Sequence, residues 1–149
     1  MKTYSTEEIG ILAHKFAEQK ITTSGWTHTA HLIVGIYFLS TYEFYDAVCR
    51  IKSGIILLNS SFGNENTGQT GYHETLTIFW AKIIKTYLEM NAARFCEKNV
   101  NGFLKTPLAE NMLPYVFYEK SVLAGKQSRA IYMPENKKEI NPNSLKEMA

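Results

Sequence analysis

Apolar residues recur every three or four positions in four separate segments, and this spacing constrains the fold more than any other feature of the chain. At 3.6 residues per turn, such spacing places them on one face of an α-helix. The first segment holds Ile9, Leu12, Ala13 and Phe16. It follows Ser5, a hydroxyl residue with Glu8 three positions later, which is the capping-box pattern that begins helices. The pattern therefore predicts a first helix that ends near residue 20.

Three further segments predict three more helices. Residues 27–39 are apolar nearly all round, which is typical of a central helix. Residues 44–58 keep a helical period, although Gly54 and several β-branched residues lower the helix propensity. Residues 60–71 hold three glycines and almost no apolar side chains, which predicts a loop. The fourth helix is expected over residues 72–90, and its pattern extends as far as residue 98.

Beyond residue 101 the helical pattern is shorter and interrupted. Prolines allow a short helix over residues 108–113, and residues 115–123 favour another. Residues 135–149 are polar and predict an extended or mobile tail. The whole chain of 149 residues is long enough for one domain with a core. We therefore expect an all-α fold: an up-down bundle of four main helices, covered by short C-terminal helical segments, in a single domain over residues 1–134.

Composition narrows the classes of function. A formal net charge of +2, with scattered Lys and Arg, does not favour nucleic acid as a partner. No apolar run approaches the length of a membrane span, and the N-terminal residues lack the apolar segment of a signal peptide. Cys49 and Cys96 lie far apart and form no metal-binding motif, as expected of reduced thiols in a cytoplasmic protein. The aromatic content of 13% suits either a crowded core or the interface of a homodimer.

Three of the four histidines lie in two short motifs, WTHTAHL and GYHETLT. Short connections make successive helices antiparallel neighbours, so the second and fourth helices should begin at the same end of the bundle. His28 and His31 fall on the apolar stripe of the second helix, and His73 falls on that of the fourth. We expect these three side chains to converge on one polar pocket. His14 lies far from the apolar stripe of the first helix and should be solvated.

Three converging imidazoles predict a transition-metal site. Neutral histidines bind zinc, iron, nickel or copper, and three of them leave a coordination position open for water or substrate. Glu74 lies about 100° around the helix from His73, which favours a role as a general base or as a partner of a ligating histidine. Thr77, one turn from His73, could bind a histidine or the substrate. The leading hypothesis is a metal-dependent enzyme with hydrolase-type or lyase-type chemistry on a small polar molecule, and with residues 60–71 as a lid.

Two other interpretations stay open. Two helix N-termini at one pocket also form an anion site, in which Tyr72 and the histidines would bind the carboxylate or phosphate of a small metabolite without metal. Alternatively, the polar residues form a buried network that fixes packing in a structural, dimeric interaction module. Trp26 is expected at the pocket wall and Asn59 at its edge. Thr27 and Thr70 match ordinary helix N-caps.

The same motifs resemble the pattern of a family of small, uncharacterised bacterial helical proteins. That pattern runs Trp-Thr-His-x-x-His-Leu, then an Asn before a glycine-containing loop, Tyr-His-Glu-Thr-x-Thr and a C-terminal Ala-Arg-x-x-Phe-x-x-Pro-Asp. The chain is similar to it over residues 26–134, with Ser128 in place of the Ala and Glu135 in place of the Asp. The resemblance implies no particular activity. It does imply that Arg129 belongs to the site, where it would pair with Glu74 or bind an anion.

Overall fold

A computed structural model of the chain describes residues 2–91 and 97–149. Four longer helices come first: α1 (Thr6–Ala17), α2 (His28–Thr41), α3 (Phe44–Ser61) and α4 (Glu74–Met90). They are followed by α5 (Glu97–Leu104), α6 (Pro114–Phe117), α7 (Lys120–Ala124), α8 (Lys126–Ala130) and α9 (Pro142–Lys146). Short 3₁₀ turns occur at Thr23–Gly25 and Pro107–Ala109. The predicted all-α class is confirmed, while the expected extension of the fourth helix and Cys96 fall on residues outside the described part.

Helix α2 occupies the centre of the fold. It packs against α1, α3, α4 and α5, and most of its side chains are buried, as its nearly continuous apolar sequence predicts. Gly35 of α2 faces α4, where a Cβ would approach Cδ1 of Ile84 to 2.9 Å. Gly54 of α3 leaves space for the Phe16 ring of α1, which would overlap a Cβ at that position. A glycine inside a helix costs about 1 kcal/mol, and here the close packing of a buried phenyl ring offsets that cost.

Side-chain caps fix the starts of α1, α2 and α4, whereas α3 has no side-chain cap hydrogen bond. The predicted capping box is present in α1, where the Glu8 amide donates to Ser5 Oγ at 3.2 Å and the Ser5 amide donates to Glu8 Oε2 at 2.8 Å. Thr27 caps α2 as predicted, accepting from the amide of Ala30. The cap of α4 differs from the prediction, because His73 rather than Thr70 precedes its first turn. A histidine accepts the amide hydrogen bond with a ring nitrogen where a threonine uses its hydroxyl.

The segment after α5 is more broken than its sequence predicts. The short helix expected over residues 108–113 is only a 3₁₀ turn, and the helix expected over residues 115–123 is divided into α6 and α7. The break falls at Tyr118, whose backbone is extended with φ −129° and ψ 145°. Tyr118 is fully buried, and its hydroxyl donates to the carbonyl of Met133 at 3.0 Å. Burial of this ring outweighs the local preference for a continuous helix.

Residues 135–149 form part of the packed structure and are not the mobile tail that their composition indicates. Leu145 is fully buried, Ile140 is nearly so, and α9 contacts α4. Asn141 and Ser144 form a capping box that begins α9. The two buried apolar side chains, together with the partly buried Met148, attach this polar segment to the core. Within residues 2–91 and 97–149, no helix combines the length and apolar character needed to span a membrane.

Candidate functional site

An open cavity of about 430 Å³ lies between α2, α3 and α4. Its walls are mainly aliphatic, and both tryptophans of the chain, Trp26 and Trp80, line it. The polar residues that line it are His28, His31, Asn59, Tyr72, His73 and Thr77. Of the residues proposed from the sequence for the site, seven line this cavity, and Glu74 and Arg129 do not. The N-terminal residues of α2 and α4 therefore share one pocket.

His31 presents a bare nitrogen to the pocket. Its Nδ1 lies 2.8 Å from the carbonyl oxygen of Thr27, and since a carbonyl only accepts, Nδ1 carries the proton and Nε2 keeps a lone pair. The ring lies against Trp26, with 3.7 Å between the ring centroids. His31 is partly exposed to solvent, but desolvation of the ring by the surrounding protein lowers its pKa to about 4, and proximity to His28 acts in the same direction. His31 is therefore neutral at neutral pH.

His28 has the same protonation pattern with the nitrogens exchanged. Its Nε2 lies 2.9 Å from the carbonyl oxygen of Ala109, so Nε2 carries the proton and Nδ1 is left with a lone pair. The ring meets Trp80 edge-on, with 5.1 Å between centroids. His28 also lines a second cavity of about 390 Å³, which reaches Tyr4 and Glu110. His28 thus stands in the wall common to both cavities.

His73 is occupied by the fold on both sides of its ring. Nδ1 accepts from the Leu76 amide at 3.3 Å, which caps α4, and Nε2 donates to the carbonyl of Leu123 at 3.0 Å. The residue is buried, and this burial lowers its pKa. Thr77 donates its hydroxyl proton to the His73 carbonyl at 3.0 Å. A metal bound to His73 would have to displace one of these hydrogen bonds.

The arrangement of the side chains that could act as metal ligands bears directly on the predicted metal site. In the part of the chain that the structure describes, no group of three or more His, Cys, Asp or Glu side chains is arranged to hold a metal ion. His28 and His31 each retain one unused ring nitrogen, whereas both nitrogens of His73 are engaged. The three-histidine metal site stays a prediction, and it would require His73 to leave its position as a helix cap.

Glu74 is held by two partners that keep it out of the pocket. Its Oε2 accepts from the Tyr72 hydroxyl at 2.7 Å and pairs with Lys52 Nζ at 2.8 Å. Burial of Tyr72, followed by its hydrogen bond to Glu74, raises the pKa of the phenol, so Tyr72 stays protonated. Lys52 was not identified from the sequence. It follows the buried Ile51 on α3, and only the packing of α3 on α4 reveals that it faces Glu74.

Arg129 does not pair with Glu74. Its Nη1 donates to the carbonyl oxygens of Gly71 at 2.9 Å and Tyr72 at 3.2 Å, so it fixes the chain just before α4. The guanidinium charge also contributes to lowering the pKa of His73, after burial. Arg129 supports the pocket from outside and is not one of the residues that line it.

Asn66 organises the loop that precedes α4. Its Oδ1 accepts from the Tyr72 amide at 2.9 Å and from Asn59 Nδ2 at 3.2 Å, while its Nδ2 donates to the Ile56 carbonyl at 3.1 Å. Gly71 has a φ of 76°, and a Cβ there would lie 2.7 Å from Asn66 Oδ1. The importance of Asn66 was missed from the sequence, where it is one of several asparagines and glycines in a polar loop.

Comparison of the chain with protein-family models, with curated proteins and with solved structures finds no match. The pocket must therefore be interpreted from its own geometry. That geometry combines apolar walls with imidazoles and hydroxyl groups whose protons are already donated to acceptors within the protein.

Proposed function

We propose that the chain binds a small, largely apolar molecule in the pocket between α2, α3 and α4, and that it does so without a metal. The observation that carries this proposal is the open cavity of about 430 Å³, with aliphatic and indole walls and a few polar groups gathered at the N-terminal residues of α2 and α4. Sites for small molecules typically measure about 300–1,000 Å³ and have this composition. The proposal modifies the metal-free alternative drawn from the sequence.

The state of the titratable groups favours binding over acid–base catalysis. A general base works best when its pKa lies near the working pH, whereas the pKa of His31 is lowered to about 4. The carboxylate of Glu74 is engaged by Lys52 and Tyr72 rather than turned into the pocket. These two groups would orient a ligand or support the wall more readily than they would transfer protons. The hydrolase-type or lyase-type activity expected from the sequence has less support from this arrangement.

A metal site is the second candidate. One observation favours it: His28 and His31 line the same pocket, and each has one ring nitrogen without a hydrogen-bond partner among residues 2–91 and 97–149. Two imidazoles leave at least two positions of a tetrahedral zinc ion unfilled. A bound molecule would have to supply the missing ligands, or His73 would have to give up its cap.

The two tryptophans provide a direct test. Because Trp26 and Trp80 both line the cavity and the chain has no other tryptophan, indole fluorescence reports on the pocket. We expect small apolar probes to shift this fluorescence in the wild type. The shift should disappear in Ala81→Leu, which fills the cavity from a buried lining position.

Ala17→Leu, the same change at an exposed position of α1, is the matched control and should bind as the wild type does. Melting temperatures of both variants show whether the fold is retained. Equal binding by folded Ala81→Leu and wild type would place the probe elsewhere and contradict the proposal. Elemental analysis of the same untagged wild-type protein tests the second candidate, which predicts near-stoichiometric metal.

A further inference from the structure

We propose that the polar group of the bound molecule is a hydrogen-bond donor, a hydroxyl or an amino group, and not a carboxylate or phosphate. This inference rests on the proposed function and specifies its ligand. The histidines and hydroxyl groups that line the pocket commit their protons to acceptors of the protein itself, so what these groups offer a ligand is lone pairs.

The two histidines show this most directly. His31 donates through Nδ1 to Thr27, and His28 donates through Nε2 to Ala109. In each case the partner is a backbone carbonyl, which has no proton to give. In the neutral form of the imidazole, the remaining nitrogen of each ring can therefore only accept.

The hydroxyl groups of Tyr72 and Thr77 likewise donate their protons to acceptors within the protein. Tyr72 donates to the carboxylate of Glu74 at 2.7 Å, and Thr77 donates to the carbonyl of His73 at 3.0 Å. Both acceptors lack a proton to return, because Glu74 is paired with Lys52 as a carboxylate. Each hydroxyl oxygen is left with lone pairs.

The orientation of Asn59 is determined by its neighbour. Asn66 accepts from the Tyr72 amide with Oδ1 and donates to the Ile56 carbonyl with Nδ2, so its oxygen and nitrogen cannot be exchanged. The atom of Asn59 that meets Asn66 Oδ1 must then be Nδ2. Asn59 keeps its Oδ1 as an acceptor together with one amide proton.

The charge of the lining leads to the same conclusion. None of the described residues that line the pocket is Lys, Arg, Asp or Glu. Lys52 is paired with Glu74, and Arg129 is held by the carbonyls of Gly71 and Tyr72 outside the lining. The remaining donors, the Asn59 amide and the two indole N–H groups, are neutral. A carboxylate would lose its hydration without gaining a counter-charge, which is costly. An ammonium is disfavoured by the positive ends of α2 and α4 but is attracted to the indole faces, and a neutral hydroxyl incurs neither cost.

Four probes of one shape test the inference: 2-phenylethanol, 2-phenylethylamine, phenylacetate and ethylbenzene. They share an aromatic body and differ in the terminal group, and none of them is excited together with indole. We expect the alcohol or the amine to bind several-fold to about tenfold tighter than ethylbenzene, the ratio that one good hydrogen bond provides. Phenylacetate should bind most weakly.

Each outcome distinguishes the two proposals. Tightest binding of phenylacetate, or equal binding of the alcohol, the amine and ethylbenzene, would overturn the inference while leaving the proposed function standing. Absence of binding by all four probes would overturn the proposed function, and this inference with it.

Single substitutions identify which side chain accepts the hydrogen bond from the bound molecule. His31→Phe keeps a ring against Trp26 but removes the accepting nitrogen, so the preference for the alcohol over ethylbenzene should fall to near unity while ethylbenzene binds as before. His14→Phe, at an exposed position of α1, is the control and should keep the wild-type preference. Thr77→Val removes a second acceptor and should reduce the same ratio, which provides a readout if His31→Phe does not fold. An unchanged ratio in every folded variant would overturn the inference.

Discussion

His73 shows how a single side chain can look like a ligand and act as a cap. Its neutral form is favoured in three ways: burial removes it from water, Nδ1 must accept from the Leu76 amide, and a positive charge is disfavoured at a helix N-terminus. Its other nitrogen connects α4 to the carbonyl of Leu123, 50 residues away in sequence. The same features that make a histidine competent to bind metal here serve the fold.

We expect His73→Ala to lower the free energy of unfolding by about 1–3 kcal/mol, because it removes a helix cap and leaves the Leu123 carbonyl without its partner. His73→Asn should recover part of this loss, since asparagine is a good N-cap but does not reach Leu123 in the same way. Urea denaturation in the presence of a chelator measures both variants. If chelator alone lowered wild-type stability as much as His73→Ala does, the histidine would act through a metal.

The lowered pKa of His31 predicts a pH dependence of stability. Its pKa is about 4 in the folded protein and 6.5 ordinarily, so between these values the unfolded chain binds a proton that the native protein does not. The contribution of His31 to stability is therefore complete above pH 6.5, falls as the pH decreases from 6.5 to about 4, and changes no further below that. Urea denaturation at pH values across this window should show a shallower decline for His31→Phe than for the wild type. Parallel declines would show that His31 titrates alike in both states.

At the scale of the helices, the sequence patterns correctly predicted the features that depend on residues close together in the chain. The four main helices, the capping box at Ser5 and the Thr27 cap depend on residues within a few positions of each other, and the structure has them as predicted. The predicted cap of α4 was wrong. His73 occupies the N-cap position instead of Thr70, and its hydrogen bond to the Leu123 carbonyl joins residues too far apart for a local pattern to predict. The break at Tyr118 has the same origin, since its hydroxyl partner is the distant Met133.

Thr75, within the GYHETLT motif, connects helix α4 to the segment after α8. It is fully buried, donates to the Ile131 carbonyl at 3.1 Å and accepts from the Met133 amide at 3.0 Å. One hydroxyl thus satisfies two backbone groups of the segment after α8 and holds it against α4. Beyond it, Lys82 pairs with Glu135 and donates to Tyr132 at 2.8 Å. Residues 131–135 are therefore joined to α4 through both contacts.

The packing of α9 predicts that the polar C-terminal segment contributes to stability. Leu145 is fully buried, so Leu145→Ala should lower the free energy of unfolding by about 2–5 kcal/mol, as for other buried leucines. Lys146→Ala, at the neighbouring exposed position, should change it by no more than about 0.5 kcal/mol. Urea denaturation checks both variants. Equal and small effects would mean that α9 is not held on α4 in solution.

For the whole molecule, sequence reasoning located the pocket better than it predicted the chemistry of the pocket. Helical periodicity placed His28, His31, His73 and Thr77 on inward faces, and they do line one cavity. Their protonation could not be predicted in the same way. It depends on partners such as Ala109, which is 81 positions from His28 in sequence and becomes its neighbour only in the folded chain.

The last prediction concerns the response of the entire fold to a ligand. A molecule that binds only the native state adds about 2.7 kcal/mol at a concentration of 100 times its Kd, which corresponds to a rise in Tm of about 5–10 °C for a chain of this size. We expect 2-phenylethanol to produce such a rise in the wild type if its solubility permits that ratio, and a proportionately smaller one otherwise.

The same melting experiment separates the two candidate functions. Ala81→Leu should lose the rise caused by 2-phenylethanol, because its larger side chain occupies the space of the ligand, whereas Ala17→Leu should keep it. Zinc added to the wild type should leave Tm unchanged, because His73 already uses both ring nitrogens in hydrogen bonds. A zinc-dependent rise that disappears in both His28→Ala and His31→Ala would overturn the metal-free proposal, since the two free imidazole nitrogens would then be ligands.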